Sequence, residues 1–303
     1  MLIKVLGSAA GGGLPQINCN CRNCRDARSG TPALTARTQS SLAVSRDGQA
    51  WTLLNASPDL RQQISATPQL WPRPEAGLRT SPISSIVLTN ADVDHVGGLL
   101  SLREGVKFTL YASRRVLEAL HANPIYKVLD PCNVAYADLP LESEVAIAGG
   151  LSVEAFAVPG KVALYLETSA AGAGTRVGDT IGLKILDRSK ATAFLYIPGC
   201  AGIDAALAAR LRGSPLVLFD GTLFTDDEMV VQGLSAKTGQ RMGHLAMAGP
   251  QGSMAAFKAL DVARRIFVHM NNSNPALRED SLERAEVERA GWEIAWDGME
   301  IEL

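Results

Sequence analysis

The sequence has no excess of positive charge: Lys+Arg 29 stand against Asp+Glu 31, a formal net charge of -2 over 303 residues. A surface built for nucleic acid or anionic lipid needs a basic excess, so neither partner is expected. Long apolar runs are missing as well. Nothing approaches the roughly 18 residues of a membrane-crossing helix, and the opening stretch Met1 to Pro15 has too short an apolar segment for a signal peptide. The expectation is a soluble, cytoplasmic protein with no membrane partner. There is no repeat period and no low-complexity block. The small-residue stretch Ser169 to Gly174 is too short for an interdomain linker and reads as a hairpin tip. The glycine loop Gly7 to Gly13 lacks the Lys-Ser/Thr that closes a P-loop, and Gly-x-Gly-x-x-Gly is absent, so nucleotide phosphate is not its ligand. Disorder is excluded by a hydrophobic content of 47%.

What is present is sheet and helix in alternation. Leu2 to Leu6, Ser40 to Ser45 and Trp51 to Leu54 have the period-2 pattern of strands. Ser57-Pro58-Asp59 then opens a helix at Leu60 to Ile64, with a hydroxyl, a proline and an acid where a helix start favours them. The same grammar returns as a strand at Ile83 to Leu88, a polar loop, and a helix over Val96 to Arg103. Helices are expected at Arg114 to Asn123, Ile203 to Leu211, Ser253 to Leu260 and Leu282 to Ala290. Strands are expected at Leu151 to Val158, Lys161 to Glu167, Leu216 to Phe219, Ile266 to His269 and Ile294 to Trp296. Interleaving of this kind over residues 1–303 predicts a single layered α/β domain, with helices outside two packed sheets.

Three of the five cysteines fall within six positions, Cys19, Cys21 and Cys24. Such crowding suits metal ligands and makes poor disulfides. Soft thiolates select zinc, and a closed tetrahedral shell is structural, so residues 19–24 read as a zinc knot that borrows a fourth ligand from elsewhere. Elimination favours His269 over His121, His244, Cys132 and Cys200, although His269 cannot serve two metals. A second cluster, Asp92, Asp94 and His95, lies in the loop after the Ile83 to Leu88 strand, where a rigid sheet presents functional groups. Carboxylates this close call for a cation. The purely structural alternative is an Asx-type turn in which an aspartate caps the following helix.

Thr89-Asn90-Ala91-Asp92-Val93-Asp94-His95-Val96-Gly97-Gly98 resembles the Thr-His-x-His-x-Asp-His-x-x-Gly signature of the metallo-β-lactamase superfamily, with Asn90 and Asp92 in place of two histidines. The resemblance implies an αββα sandwich of two mixed sheets packed face to face. It makes Asp94 and His95 ligands and puts the carboxylate of Asp92 in a ligand position. It also implies a site that departs from the usual dinuclear zinc hydrolase. Phe219-Asp220-Gly221-Thr222, Met242-Gly243-His244 and Val268-His269-Met270 resemble later motifs of its phosphodiesterase-like branch, which makes Asp220, His244 and His269 candidates. Together with the cysteine knot, Arg37 to Ser41, Asn55 to Gln62 and His269 to Pro275, the pattern resembles the B-protein family of pyrroloquinoline quinone biosynthesis along nearly the whole chain. That implies a bacterial protein acting on a precursor built from a Glu-Tyr unit, either as a carrier of the quinone or its precursor or as an oxygen-using hydroxylase.

Residue chemistry favours iron, because one or two imidazoles with carboxylate oxygens and open positions is the ligand character of non-haem Fe(II). The expected centre is Fe2+ held by Asp92, Asp94, His95, Asp220 and His269, with Asp94 and His244 as catalytic groups, His244 moving protons or holding a substrate carboxylate. Arg37 and Arg61 are candidates to pair with substrate carboxylates, and Asn271 and Asn272 to touch substrate or position the ligands. The partner expected is a small, dipeptide-like quinone precursor. A carrier with a vestigial site and a metal-dependent hydrolase stay open as alternatives, and the oligomeric state is not fixed, a homodimer being allowed for.

Overall fold

A computed structural model describes residues 1–167 and 175–303; the hairpin tip expected at Ser169 to Gly174 lies outside them. The chain forms strands β1 (Leu2–Gly7), β2 (Ser41–Ser45), β3 (Trp51–Leu54), β4 (Ile83–Val87), β5 (Phe108–Ala112), β6 (Val134–Asp138) and β7 (Glu144–Ala146). The remaining strands are β8 (Ser152–Ala157), β9 (Ile181–Asp187), β10 (Thr192–Ile197), β11 (Leu216–Asp220), β12 (Arg264–Val268), β13 (Glu293–Ile294) and β14 (Glu300–Glu302). Among the described residues they make two seven-stranded sheets, in the orders β14-β1-β2-β3-β4-β5-β6 and β13-β12-β11-β10-β9-β8-β7. Each sheet is mixed. β3 to β6 run parallel while β14, β1, β2 and β3 pair antiparallel, and in the second sheet β10 to β13 run parallel while β7 to β10 pair antiparallel.

The central strands are apolar on both faces because both faces are covered, whereas the edge strands β7 and β14 carry exposed glutamates. In β11, Leu216 and Leu218 enter the core between the sheets, where they meet Ile3, Val5, Leu42, Leu183 and Ile185. Val217 and Phe219 enter an outer core with Leu207, Phe257 and Val287 from the covering helices. On the other side Leu53, Ile86 and Leu110 meet Leu60, Val116 and Leu120. The result is the αββα sandwich.

Local rules explain the helix ends. Helix α1 (Arg22–Ser29) stops at Gly30, whose φ of 69° supplies the left-handed cap. Helix α2 is Leu60–Ser65. Helix α3 (Val93–Val96) is one turn, followed by a 3-10 segment, Gly97–Leu102, rather than the continuous helix expected over Val96 to Arg103. The packing is close there: a Cβ on Gly98 would lie 2.1 Å from the Ser57 carbonyl oxygen. Lys161 to Glu167 is not a strand either. It makes a 3-10 turn at Leu164–Leu166, and its Lys161 and Leu164 line a cavity.

The parallel strands place the chemistry. β4, β10, β11 and β12 each end at the same edge of the sandwich; β11 ends on Asp220, and the segments that leave the carboxyl ends carry Thr89 to His95, Gly199, Thr222 and His269. No described helix is long and apolar enough to cross a membrane.

Candidate active site

The strand ends converge on a cavity of about 390 Å³, within the range for small-molecule sites. Two groups of side chains that could hold a metal meet there, Asp94 with His95 and His269, and Asp220 with His244 and His269; all but the fully buried Asp220 line the cavity. In each group one ligand atom per residue lies within 4.8 Å of the others. His269 belongs to both. Its ring lies 5.2 Å from that of His95 and 5.3 Å from that of His244.

Asn90 fixes the first group. Its side-chain oxygen accepts from the Asp92 backbone N–H at 3.0 Å and lies 2.8 Å from His95 Nδ1. A group that accepts from an amide N–H must be the oxygen, so His95 Nδ1 carries the proton and Nε2 keeps its lone pair. That Nε2 is buried, has no hydrogen-bond partner, and lies 3.9 Å from Asp94 Oδ2. A buried orphan nitrogen facing a carboxylate fits a cation. Burial lowers the pKa of His95 to about 4, which keeps it in the neutral, ligating form.

Thr222 fixes the second group. Its hydroxyl lies 2.6 Å from Asp220 Oδ1, 2.8 Å from His269 Nδ1 and 3.1 Å from His244 Nδ1. If the hydroxyl donates to Asp220 it accepts from His269 Nδ1–H, which turns His269 Nε2 toward Asp94 Oδ2, 3.0 Å away. Burial works against a charged His269, but the bond and charge of Asp94 outweigh it and raise its pKa; the two share a proton where a cation would compete. Asp220 is fully buried, accepts from the Cys200 N–H at 2.9 Å and holds His244 Nδ1 at 2.7 Å. Burial opposes its charge, and His244 more than offsets that, so its pKa falls.

Asp92 behaves otherwise. It occupies the N-cap of α3 without capping it through its side chain, so the Asx-cap alternative does not describe it. Nor does it join either metal group: its Oδ1 accepts from the Leu164 N–H at 2.9 Å. Asp92 lines the cavity and ties the 161–167 segment to the metal loop, and burial together with Asp94 raises its pKa.

The cysteine knot is assembled with a different partner from the one expected. Cys19, Cys21 and Cys24 offer sulfurs within 4.8 Å of one another, and the Asn272 side-chain amide lies 3.2, 3.6 and 3.3 Å from them. Asn272 faces the sulfurs, while His269, three residues earlier, is held by Asp94 and Thr222. His269 is therefore not the fourth ligand of the knot. Cys200, buried, and Cys132, exposed, lie outside the cluster. Asn23 on α1 donates to the carbonyls of Asn272 and Asn274 at 3.0 and 2.9 Å, which docks the knot on the loop after β12. Burial raises the Cys24 thiol to about 11, so a cation here would displace protons. Three clustered sulfurs fit zinc.

Both arginine expectations fail. Arg37 is 8% exposed and bonds the Ala295 carbonyl and Ser8 Oγ; it braces the interior away from the cavity lining. Arg61 is exposed on α2, also outside the lining. Asn271 does line the cavity, and its amide bonds Ser273 Oγ. Asn90, Thr222, Lys161 and Lys237 escape the sequence reading. Thr222 has a weak signal, two positions after Asp220; Asn90 looks only like a lost histidine.

The family model that matches, over residues 50–270, is described as a beta-lactamase superfamily domain. The chain is 50% identical over 305 residues to the coenzyme PQQ synthesis protein B of Xanthomonas oryzae, with 100% of each covered. It is 49% identical over 303 residues to that of Methylorubrum extorquens, again with 100% of each covered. Among solved structures it matches zinc-bound PqqB from Methylobacterium extorquens at a TM-score of 0.95 and 48% identity, covering 100% of both chains. A diphosphatase of the PhnP family shares the fold at a TM-score of 0.69 and 20% identity, with 100% of this chain and 96% of that one covered. The chain thus belongs to the beta-lactamase superfamily and, within it, to the coenzyme PQQ synthesis protein B family.

Proposed function

We propose that this protein serves PQQ biosynthesis by hydroxylating the tyrosine ring of a Glu-Tyr-derived precursor, using ferrous iron and dioxygen. One observation carries the reading: Asp94, His95 and His269 bring one carboxylate and two imidazoles to a single point on the wall of an open cavity. That donor set, with positions left free, is the one used for non-haem iron oxygenation. Bound there, ferrous iron would supply activation of dioxygen. The chemistry replaces a ring C–H bond with C–OH, releases the second oxygen atom as water, and draws two electrons from an external reductant.

The chain's own groups do the rest. Asn90 orients His95, and Thr222 orients His269. His244, with Nδ1 bonded to Asp220, presents its other ring nitrogen to move a proton at the substrate phenol. Leu164, Met229 and Met242 give the cavity an apolar wall for the ring. The knot of Cys19, Cys21 and Cys24 would hold zinc as a structural tie.

The test is mass-resolved hydroxylation of Glu-Tyr by iron-loaded protein with oxygen and a reductant. Product with one added oxygen is expected. Bound precursor without turnover, in protein with iron confirmed in place, would favour a carrier instead. The sharing of His269 between two ligand groups favours a second reading, a metal-dependent hydrolase. Zinc- or manganese-loaded protein cleaving a model phosphodiester would support it.

A further inference from the structure

With Arg37 and Arg61 away from the cavity, the positive charge at its mouth belongs to two lysines. Lys161 and Lys237 both line the cavity. Their ammoniums meet on one carboxylate: Lys161 Nζ lies 3.1 Å from Glu167 Oε1, and Lys237 Nζ 3.4 Å from Glu167 Oε2. Two ammoniums repel, and they converge because an anion bridges them. The bridging anion comes from this chain, and its side chain is 31% exposed, so a soluble carboxylate can reach the same ammoniums.

Lys161 is seated for this. Its carbonyl accepts from Thr180 Oγ1 at 2.9 Å. Its stem lies against Gly243, where a Cβ would approach Lys161 Cγ to 2.8 Å. Gly243 has a φ of +87° and directly precedes His244, so a backbone that tolerates no side chain joins the lysine stem to the catalytic wall. Leu164, three residues along, is fastened to Asp92. The cavity lining therefore combines the candidate metal ligands Asp94, His95 and His269, the apolar side chains of Leu164, Met229 and Met242, and the two lysines, which form a cationic rim.

We propose that Lys161 and Lys237 receive a carboxylate of the substrate, with Glu167 keeping that place until the substrate arrives. The ligand class is a small aromatic compound with a carboxylate at the end remote from the reacting ring. Only the identity of the ring rests on the hydroxylation reading; the rim is defined by its own contacts.

The experiment titrates zinc-loaded protein, which lacks the redox metal that hydroxylation needs, with Glu-Tyr and with the same dipeptide carrying both carboxylates as amides, ligand integrity being checked by mass spectrometry. The parent is expected to prefer the acid by about tenfold or more, the scale of a charge-assisted hydrogen bond. Lys161→Gln and Lys237→Gln should each remove most of that preference and leave binding of the diamide unchanged, while Glu167→Gln should tighten the acid alone. Circular dichroism and metal content serve as fold controls. Equal binding of acid and diamide by the parent, equal weakening of both ligands in the lysine variants, or weaker acid binding in Glu167→Gln would overturn the proposal. Hydroxylation by iron-loaded protein is read separately. Lysine-dependent acid binding without product leaves the rim standing and removes the hydroxylase reading; product formation with a KM indifferent to both lysines does the reverse.

Discussion

Asn90 stands where the superfamily signature has a histidine, and its role can be tested by deleting one oxygen atom's worth of chemistry. In Asn90→Ala the acceptor 2.8 Å from His95 Nδ1 and 3.0 Å from the Asp92 N–H disappears. Asp92's part-buried N–H then lacks that bond, which costs about 1 kcal/mol of stability. His95 keeps a poorer contact, Thr89 Oγ1 at 3.3 Å, so the ring is loosened rather than freed and either nitrogen can carry the proton. Loss of such an orienting partner typically weakens metal binding about 10–100-fold. Asn90→Asp preserves an acceptor and adds charge, so it should hold His95 at least as firmly. The assay is competition for Fe2+ or Zn2+ against a chelator of known affinity, in protein whose cysteine knot is already loaded, with thermal melts in parallel. If Asn90→Ala binds metal within about threefold of the parent while its melting temperature falls, the tautomer argument is wrong and Asn90 is only a loop brace.

Protein purified without added metal should retain zinc at the knot, and Cys24→Ser should lose it, melt earlier and bind the second metal more weakly; elemental analysis with calorimetry reads all three. Glu228 is buried against Ser273 Oγ and the Phe224 N–H, and burial raises its pKa from 4.5 to about 7. A carboxyl raised on folding stabilises the native state below its unfolded pKa, and that contribution fades as pH rises toward 7. Denaturant stability should therefore drop by up to about 3 kcal/mol across this window, and Glu228→Gln should flatten the slope; an unchanged slope refutes it. Arg37→Ala should cost about 3 kcal/mol, since it strips a buried carbonyl and hydroxyl of their donor, whereas Arg61→Ala should change denaturant midpoints within about 0.5 kcal/mol. Neither substitution should alter affinity for Glu-Tyr.

The sequence is most legible where signals are local. Asp94 and His95 sit together directly after a β-branched strand, and that juxtaposition can be read from pattern and turn chemistry, although the segment closes into the helical turn α3 rather than a loop. Asp220, His244 and His269 are far apart along the chain, and only motif order connects them; the shared edge of the parallel strands β11 and β12 gathers Asp220 and His269, while His244 comes in after a helical turn at Gly239–Met242 and is held by Asp220. Asn272 was within view as an amide, but a carboxamide has no distinctive spacing, so elimination among histidines and cysteines settles on the wrong residue. Lys161 to Glu167 misleads for a physical reason. Val162, Leu164 and Leu166 alternate like strand residues, yet Leu164 is 58% exposed and Leu166 38%, which a strand on a core would not allow. β9 and β10 escape because strands covered on both faces lose the alternation that marks a half-buried one. Charge alone could not separate Arg37 from Arg61, since burial of an arginine depends on carbonyls distant in sequence.

The stretch from His269 to Asn272 has one further consequence. One residue reaches the cavity and the other, three positions on, reaches the sulfurs, so the spacing between them acts as a fixed ruler. Insertion or deletion of a single amino acid there would pull one end off its target whichever end stayed seated. Grafting the cavity loops onto another sandwich would therefore have to carry the N-terminal hook along with them.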